Sequence, residues 1–253
     1  MQLGFGTGIL YGIQTQDATG AAVANATPVQ FGTLQDISGD ITFEEKLLYG
    51  SYQFPIAVGR GKGKLAFKAK MANLFGAVMG DLLFGLPRAA GIKSSVSNFA
   101  AAIPATPFQI TVAPPSSGTF ASDLGVLNAT TGLPLKKVAS APATGQYSVS
   151  GGGVYTFAAP DTGNTVMLSY EYTATSTTAQ NGSITNQLMG YAPTFSALLT
   201  MSFQGKPLTL KLNQCLASKF SLPMKNDDFT IPEFDFSAFA DGAGNIGYWA
   251  TAE

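Results

Sequence analysis

Histidine is absent from the 253 residues of the chain. Its absence excludes a Ser–His–Asp or Cys–His catalytic unit and the usual zinc sites. Two pairs of acids remain as candidates for acid–base chemistry, Glu44–Glu45 and Asp227–Asp228. Adjacent residues of a strand point to opposite faces, so neither pair can converge on one substrate atom. We therefore predict that the protein is not an enzyme and that it has no catalytic, metal-binding or cofactor-binding residues.

Charged residues are scarce as well. They make up 11% of the chain, against about 25% in an average soluble domain. A lone monomer usually keeps a charged surface for solubility, so this composition indicates that other copies of the chain cover part of the surface. The net charge of −1 argues against a general nucleic-acid binder, because phosphate contacts require an excess of cations.

Cysteines and long apolar runs are nearly missing. Cys215 is the single cysteine, which excludes an intrachain disulfide, and its apolar neighbours predict a small buried side chain. The N-terminus lacks the basic start and apolar run of a signal peptide. Asp81 interrupts the best apolar window before it reaches about 18 residues, the length of a membrane span. We expect a protein made in the cytoplasm, with no membrane partner.

The strongest pattern lies at residues 31–85, which predict two strands followed by one helix. In the second strand the cations occupy even-numbered positions, and these are Arg60, Lys62, Lys64, Lys68 and Lys70. Because successive side chains of a strand point to opposite faces, this spacing predicts one cationic face, with Leu65, Phe67 and Met71 on the other.

A helical spacing follows at residues 71–84. Leu74, Val78 and Leu82 recur at intervals of four, with Phe75 one step round the helix, and a glycine and a proline end the pattern. We predict one flanking α-helix that packs on the sheet through these four apolar side chains.

Two segments of small residues, 98–107 and 174–181, have the composition of hinges. Between them lie alternating strand patterns and a hairpin signal around three consecutive glycines, at 151–153. A second hairpin is predicted further on, where residues 195–203 and 208–212 alternate on either side of a turn. The predicted parts are an N-terminal arm (1–30), a β domain (31–99 and 182–253) and an inserted β module (100–181).

Three stretches resemble tail tube proteins of bacteriophages. Residues 31–80 (FGTLQDISGD through LFGAVMG) and residues 208–247 (LTLKLNQC through GAGNIG) are similar to the major tail proteins of long-tailed, siphovirus-like phages with non-contractile tails. Residues 122–160 (SDLGVLNATTG through GVYTFAAP) resemble a β segment of related phage tail proteins.

The resemblance implies a mainly β fold, a tail-tube-type β-sandwich or barrel with one flanking α-helix and an inserted β module. It further implies that the chain forms hexameric rings, and that these rings stack into a tube through which viral DNA passes without specific binding. The implied partners are further copies of the chain, the tape-measure protein, the tail terminator and the baseplate or distal tail proteins. The implied location is the virion tail, after synthesis in the cytoplasm of the host bacterium.

The charges suggest a division of roles within such a tube. A cationic channel would retain DNA by counterion release, so we expect Asp40 and Glu44 to face the lumen. We expect the cations to lie at contacts between subunits or rings instead, opposite acids of the C-terminal region. The candidate contact residues are Arg60, Lys62, Lys64, Lys68, Lys70, Asp227, Asp228 and Asp235.

Two alternative functions remain open from the sequence. One is a bacterial secretion-system tube protein with the same ring fold. The other is a secreted β-sandwich adhesin or carbohydrate-binding module, suggested by the module rich in Tyr, Ser and Thr. Rings or tubes in solution would favour either tube protein, and a compact monomer would favour the adhesin.

Overall fold

The structure is a computed structural model that describes residues 6–73 and 75–252. The protein is mainly β, as predicted. In chain order the strands are β1 (Ile9–Gln16), β2 (Val29–Gln30), β3 (Leu34–Tyr49), β4 (Pro55–Met71), β5 (Ala89–Ala90), β6 (Ile92–Ala102), β7 (Gln109–Thr111), β8 (Thr119–Asn128), β9 (Lys136–Lys137), β10 (Gln146–Val149), β11 (Val154–Phe157), β12 (Thr165–Ala174), β13 (Gln180–Asn181), β14 (Thr194–Phe203), β15 (Lys206–Ser221), β16 (Glu233–Phe239) and β17 (Gly247–Thr251).

The chain divides into two compact units. The first unit comprises Met1–Arg88 and Gly182–Glu253, and the second comprises Ala89–Asn181. The inserted part therefore starts at Ala89, earlier than the predicted residue 100. The difference arises because β6, whose small residues have the composition of a hinge, pairs along its length with β12 of the second unit.

The described residues of the first unit form one antiparallel sheet of eight strands. Their order is β2-β1-β14-β15-β16-β4-β3, and β17 pairs with the start of β15. The predicted hairpin of β14 and β15 is confirmed. One face of the sheet carries the core, in which Phe31 meets Phe234 with ring centroids 5.1 Å apart and Phe67 stacks on Phe236 at 5.2 Å. Burying each such side chain contributes about 1.5–3 kcal/mol.

The N-terminal region belongs to this sheet rather than forming a separate arm over residues 1–30. β1 pairs with β14, and β2 covers β1 at Tyr11 and Gly12. Gly12 is needed there because a Cβ at this position would lie 2.6 Å from a methyl carbon of Leu82. The start of the predicted arm, residues 1–5, lies outside the described residues.

The helix is shorter than the predicted range of 71–84. It spans Val78–Phe84 with the wide hydrogen bonding of a π-helix, and it ends at Gly85 in a left-handed conformation (φ 62°). Met71 instead completes β4 and is fully buried, because the alternation of the strand continues to that residue. The helix packs on the core through Val78 and Leu82.

One of the residues expected to pack the helix differs from that pattern. Phe75 precedes the helix and is 44% exposed. Leu74 lies outside the described residues.

The second unit contains two sheets around a core of its own. One sheet has the order β7-β11-β10-β9 and the other the order β6-β12-β8, while β5 and β13 form a separate two-stranded ladder. The predicted hairpin of β10 and β11 is confirmed. Ile110 and Tyr155 of the first sheet share the core with Val126 and Leu168 of the second, as in a β-sandwich. Two short 3₁₀ turns, Pro115–Ser117 and Ala159–Asp161, complete the unit.

Among the described residues, no helix has both the length and the apolar character needed to cross a membrane.

Candidate functional site

Strands β3 and β4 form a hairpin that extends beyond the rest of the sheet. β16 pairs with β4 only between Leu65 and Lys70, whereas β3 and β4 remain paired out to Tyr49 and Pro55. We call residues 42–64 the hairpin arm. Within the described part of the chain, no other strand pairs with it, so its edges offer backbone donors and acceptors to a further chain.

Large apolar side chains project from the hairpin arm into solvent. At its tip Tyr52 is 84% exposed and Phe54 is 80% exposed. The exposed apolar residues of the arm are Phe43, Leu47, Leu48, Tyr49, Tyr52, Phe54, Ile56 and Val58. A monomeric protein rarely exposes so many neighbouring apolar side chains, and such a surface usually contacts a partner.

The sequence analysis assigned no role to the tip residues. The signal that could have found them is an aromatic pair, Tyr52 and Phe54, located in a connection between two strands, where turns usually carry small polar residues.

A β-bulge divides the predicted row of cations. Thr42 is paired with Lys64 and Phe43 with Gly63, but Glu45 is paired with Arg60, so β4 has one extra residue at this point. The extra residue turns Arg60 to the face of Phe43, and its guanidinium lies 4.0 Å from the centroid of the Phe43 ring. The five cations therefore do not share one face, contrary to the alternation in the sequence.

Beyond the bulge, acids and lysines alternate from strand to strand across the face of the sheet opposite the helix. Lys70 lies between Asp36 and Glu233, and the pairing of the next row brings Asp235 between Lys68 and Lys219. We call these six residues the charged face. It carries three acids (Asp36, Glu233 and Asp235) and three lysines (Lys68, Lys70 and Lys219), so its net charge is zero.

Ion pairs join neighbouring strands of the charged face. The Nζ of Lys68 lies 3.0 Å from a carboxylate oxygen of Glu233, and the Nζ of Lys70 lies 3.4 Å from one of Asp36. The hydrogen bond to Glu233 raises the pKa of Lys68 and lowers the pKa of Glu233. The Oδ1 atom of Asp235 is buried and accepts no hydrogen bond from the described residues.

The structure brings together only some of the candidate contact residues. Asp235 is the direct neighbour of Lys68 within the same chain. Asp228 lies in the exposed loop before β16 and forms an ion pair of 3.7 Å with Lys225, and Asp227 lies beside it in the same loop.

The candidate lumen residues lie on the same face as most of the lysines. Asp40 is paired with Ala66, one residue pair away from Lys68 on that face, and Glu44 forms a 3.2 Å ion pair with Lys46. The expected separation of Asp40 from the lysines is therefore wrong, because directly paired residues of an antiparallel ladder point to the same side.

A second open edge lies at β17. This strand pairs with β15 on one side, and no strand of the described residues pairs with its other side. Trp249, in the middle of β17, is 72% exposed. The first unit therefore has open strand edges at β17 and along β3, and both have exposed aromatic residues nearby.

The second unit contains a buried carboxylate with several donors. The hydroxyls of Tyr147 and Tyr155 each donate a hydrogen bond of 2.9 Å to Asp123, and the Nζ of Lys137 lies 2.9 Å from it. Burial would raise the pKa of Asp123, but these partners and the backbone N–H of Gly125 outweigh it and hold the pKa below its ordinary value. The cluster satisfies its own members, which indicates a structural role.

The chain matches no protein-family model and no curated protein sequence.

Proposed function

We propose that the chain is a tail tube protein of a long-tailed bacteriophage. Its copies form hexameric rings, and the rings stack into a hollow tube that conducts viral DNA. The likeness of residues 31–80 and 208–247 to major tail proteins supports this proposal. So does an antiparallel sheet with a helix on its core face.

The observation that carries the proposal is the hairpin arm. It exposes aromatic and aliphatic side chains and two open backbone edges. An isolated protein with such an arm would tend to aggregate. Stacked copies would cover it, because each arm would lie against the neighbouring ring.

The open edges of β3 and β17 would join subunits within a ring. Pairing strands between copies satisfies the backbone groups of both edges and closes the sheets into a continuous wall. Exposed charges of the arm, such as Lys62 and Lys64, would face Asp227 and Asp228 of another copy. Each such surface pair contributes only about 0–1 kcal/mol, so the charges would set the register of assembly more than its strength.

The face opposite the helix would line the channel. The six residues of the charged face lie on this side of the sheet and have no net charge. Their lysines are paired with acids of neighbouring strands. Such a wall would displace few of the counterions that are condensed on the DNA, so DNA would pass without being retained. The tape-measure protein would occupy the same channel before ejection, and the terminator and distal tail proteins would close the two ends of the tube.

The test compares assembly of the full chain with that of a tip variant. Light scattering and negative-stain imaging should show rings or tubes for the natural sequence. The double substitution Tyr52→Ser and Phe54→Ser should abolish stacking while leaving the circular dichroism spectrum unchanged, since neither side chain is buried.

The matched control is Phe99→Ser with Leu124→Ser. Phe99 is 44% exposed and Leu124 is 52% exposed, and both belong to the second unit. This control should assemble normally. Equal assembly of the tip variant and the natural chain would contradict the proposed role of the arm, and a natural chain that stays monomeric would contradict the tube itself.

A further inference from the structure

The second unit contains a small cavity lined by both apolar and polar side chains. It has a volume of about 170 Å³ and lies where β6 and β8 end and β12 begins. Its apolar lining comes from Ile103, Leu133, Pro134, Leu135 and Val166, and its polar lining from Asn128, Thr131, Asn164 and Asp161. A cavity that combines apolar lining with a few convergent polar groups is a common form of small-molecule site.

Asp161 is the unusual residue of this cavity. Its exposure is only 5%, and its position is fixed by the 3₁₀ turn Ala159–Asp161. The backbone N–H of Gly145 donates a 2.9 Å hydrogen bond to Oδ2. The other oxygen, Oδ1, accepts no hydrogen bond, and no lysine or arginine pairs with the carboxylate, among the residues that the structure describes. A buried carboxylate normally has such partners.

Two amides of the lining have unused donors. The Oδ1 of Asn128 accepts hydrogen bonds from the N–H groups of Thr130 and Thr131, at 2.9 and 3.0 Å, and this leaves its NH₂ group available. The backbone N–H of Asn164 donates to the carbonyl of Asp161. The side-chain amide of Asn164 makes no hydrogen bond within residues 6–73 and 75–252.

These groups restrict the chemistry of a ligand. A carboxylate only accepts hydrogen bonds, so the ligand must bring donors, whereas the amide NH₂ groups of Asn128 and of the exposed Asn164 can donate to acceptors of the ligand. A hydroxyl group supplies both. The wall of Leu, Ile and Val suits the C–H face of a ring, and Leu133, which is 65% exposed, extends that wall to the rim.

We infer that this cavity binds one neutral hydroxylated sugar ring, with Asp161 accepting from its hydroxyls and Asn164 donating to them. The volume accommodates a single ring, so the ligand is a terminal sugar of a polysaccharide or a free monosaccharide. An alkylammonium ion would pair with Asp161 but offers no acceptor to either amide. This inference is independent of the proposed tube.

Saturation-transfer NMR on the full chain tests the inference. The probes are methyl pyranosides of glucose, galactose, mannose, rhamnose and N-acetylglucosamine, the corresponding free monosaccharides, and butylammonium chloride. At least one sugar should bind. Preference for the methyl glycoside would identify a terminal polysaccharide unit, and preference for the free sugar would identify a soluble ligand.

The variants Asp161→Asn and Asn164→Ala should each weaken binding about tenfold, the effect of losing one well-formed hydrogen bond. Asn164→Ala and Leu133→Ala keep the experiment decisive if Asp161→Asn fails to fold, because neither replaced side chain makes a hydrogen bond within the described chain. Glu171→Gln is the matched control, since Glu171 is an exposed acid of the same unit outside this cavity.

Binding that is lost in the cavity variants and kept in Glu171→Gln supports the inference. Three outcomes overturn it: no sugar binds the folded chain at tens of millimolar, binding is unchanged in the cavity variants, or butylammonium binds while every sugar fails.

Discussion

At the scale of single residues, Asp123 and its donors hold the two sheets of the second unit in register. Asp123 lies on β8, while Tyr147 and Tyr155 lie on β10 and β11 of the other sheet. The buried carboxylate therefore links strands that are distant in sequence. Its side chain is only 4% exposed, although its partner Lys137 is 54% exposed.

Replacing this carboxylate should destabilise the second unit. In Asp123→Asn a single oxygen remains to accept the two tyrosine hydroxyls, and the ion pair with Lys137 is lost, so we expect a loss of about 2–4 kcal/mol. Hydrogen exchange of β10 and β11 in the full chain measures this loss. Glu171→Gln, which removes an exposed acid from the same unit, should change exchange little; equal protection in both variants would contradict the role of Asp123.

Because of Asp123, we expect the stability of the second unit to decrease in acid. The folded state holds the pKa of Asp123 below its ordinary value of 3.8, so the unfolded state binds the proton more readily. The stabilisation by Asp123 is therefore complete above about pH 3.8, and it is lost as the pH falls through the lower pKa of the folded state. Protection of β10 and β11 should decrease in that range for the natural chain. The variant Asp123→Asn should not show this decrease in protection. An equal dependence of protection on pH in the two proteins would contradict the role of Asp123.

The burial of Cys215 could be predicted from the sequence alone. Its apolar neighbours predict burial, and it is fully buried in the core of the first unit. Burial raises the pKa of its thiol to about 12. The reason is local: an uncharged side chain within an alternating strand lies on the face that its neighbours define.

At the scale of elements, the hairpin arm is separable from the fold of the first unit. Its exposed side chains contribute little to the core, which is formed by β4 residues beyond it, such as Phe67 and Ala69. The strands of the arm are held by each other, and the arm is therefore expected to tolerate shortening.

Shortening the arm should abolish assembly without unfolding the unit. Because Lys46 is paired with Gly59, residues 47–58 can be replaced by Asn-Gly, the sequence favoured in two-residue hairpin turns. We expect unchanged urea unfolding, within about 0.5 kcal/mol, and no tubes on imaging. The control replaces the turn at residues 151–153 of the second unit with Asn-Gly and should still assemble. Tubes formed by the shortened chain would show that the arm is dispensable.

Much of this element was predictable, and the parts that were not depend on partners distant in sequence. Alternation alone placed Phe67 and Met71 on the core face. The bulge that turns Arg60 onto Phe43 was not predictable, since a shift of register exists only relative to the paired strand. Likewise, the sequence predicted a separate N-terminal arm over residues 1–30, whereas Gly12 lies within a strand of the sheet, where Leu82 approaches it closely.

At the scale of the whole molecule, one chain forms two units, and each unit has a hydrophobic core of its own. The chain enters the second unit through β5 and leaves it through β13, and these two strands pair with each other. The predicted boundary at residue 100 differs from the observed start at Ala89. The sequence could not distinguish the two, because a hinge and a strand of small residues have the same composition. A core of its own indicates that the second unit is an independent folding unit.

Removing the second unit should leave the first unit intact. Ala90 is paired with Gln180, so Asn-Gly can replace residues 91–179 as a hairpin turn. The shortened chain should fold and retain the fluorescence of Trp249, the single tryptophan of the sequence. It should also still form tubes. Loss of folding would show that the first unit depends on the second.

We propose that copies of this chain complete one another's sheets around a channel. A cryo-electron microscopy reconstruction of assemblies from the full chain tests this proposal. We expect hexameric rings in which the hairpin arm of each copy lies against the next ring and the charged face borders the lumen. A compact monomer, or a tube with the arm free in solvent, would contradict it.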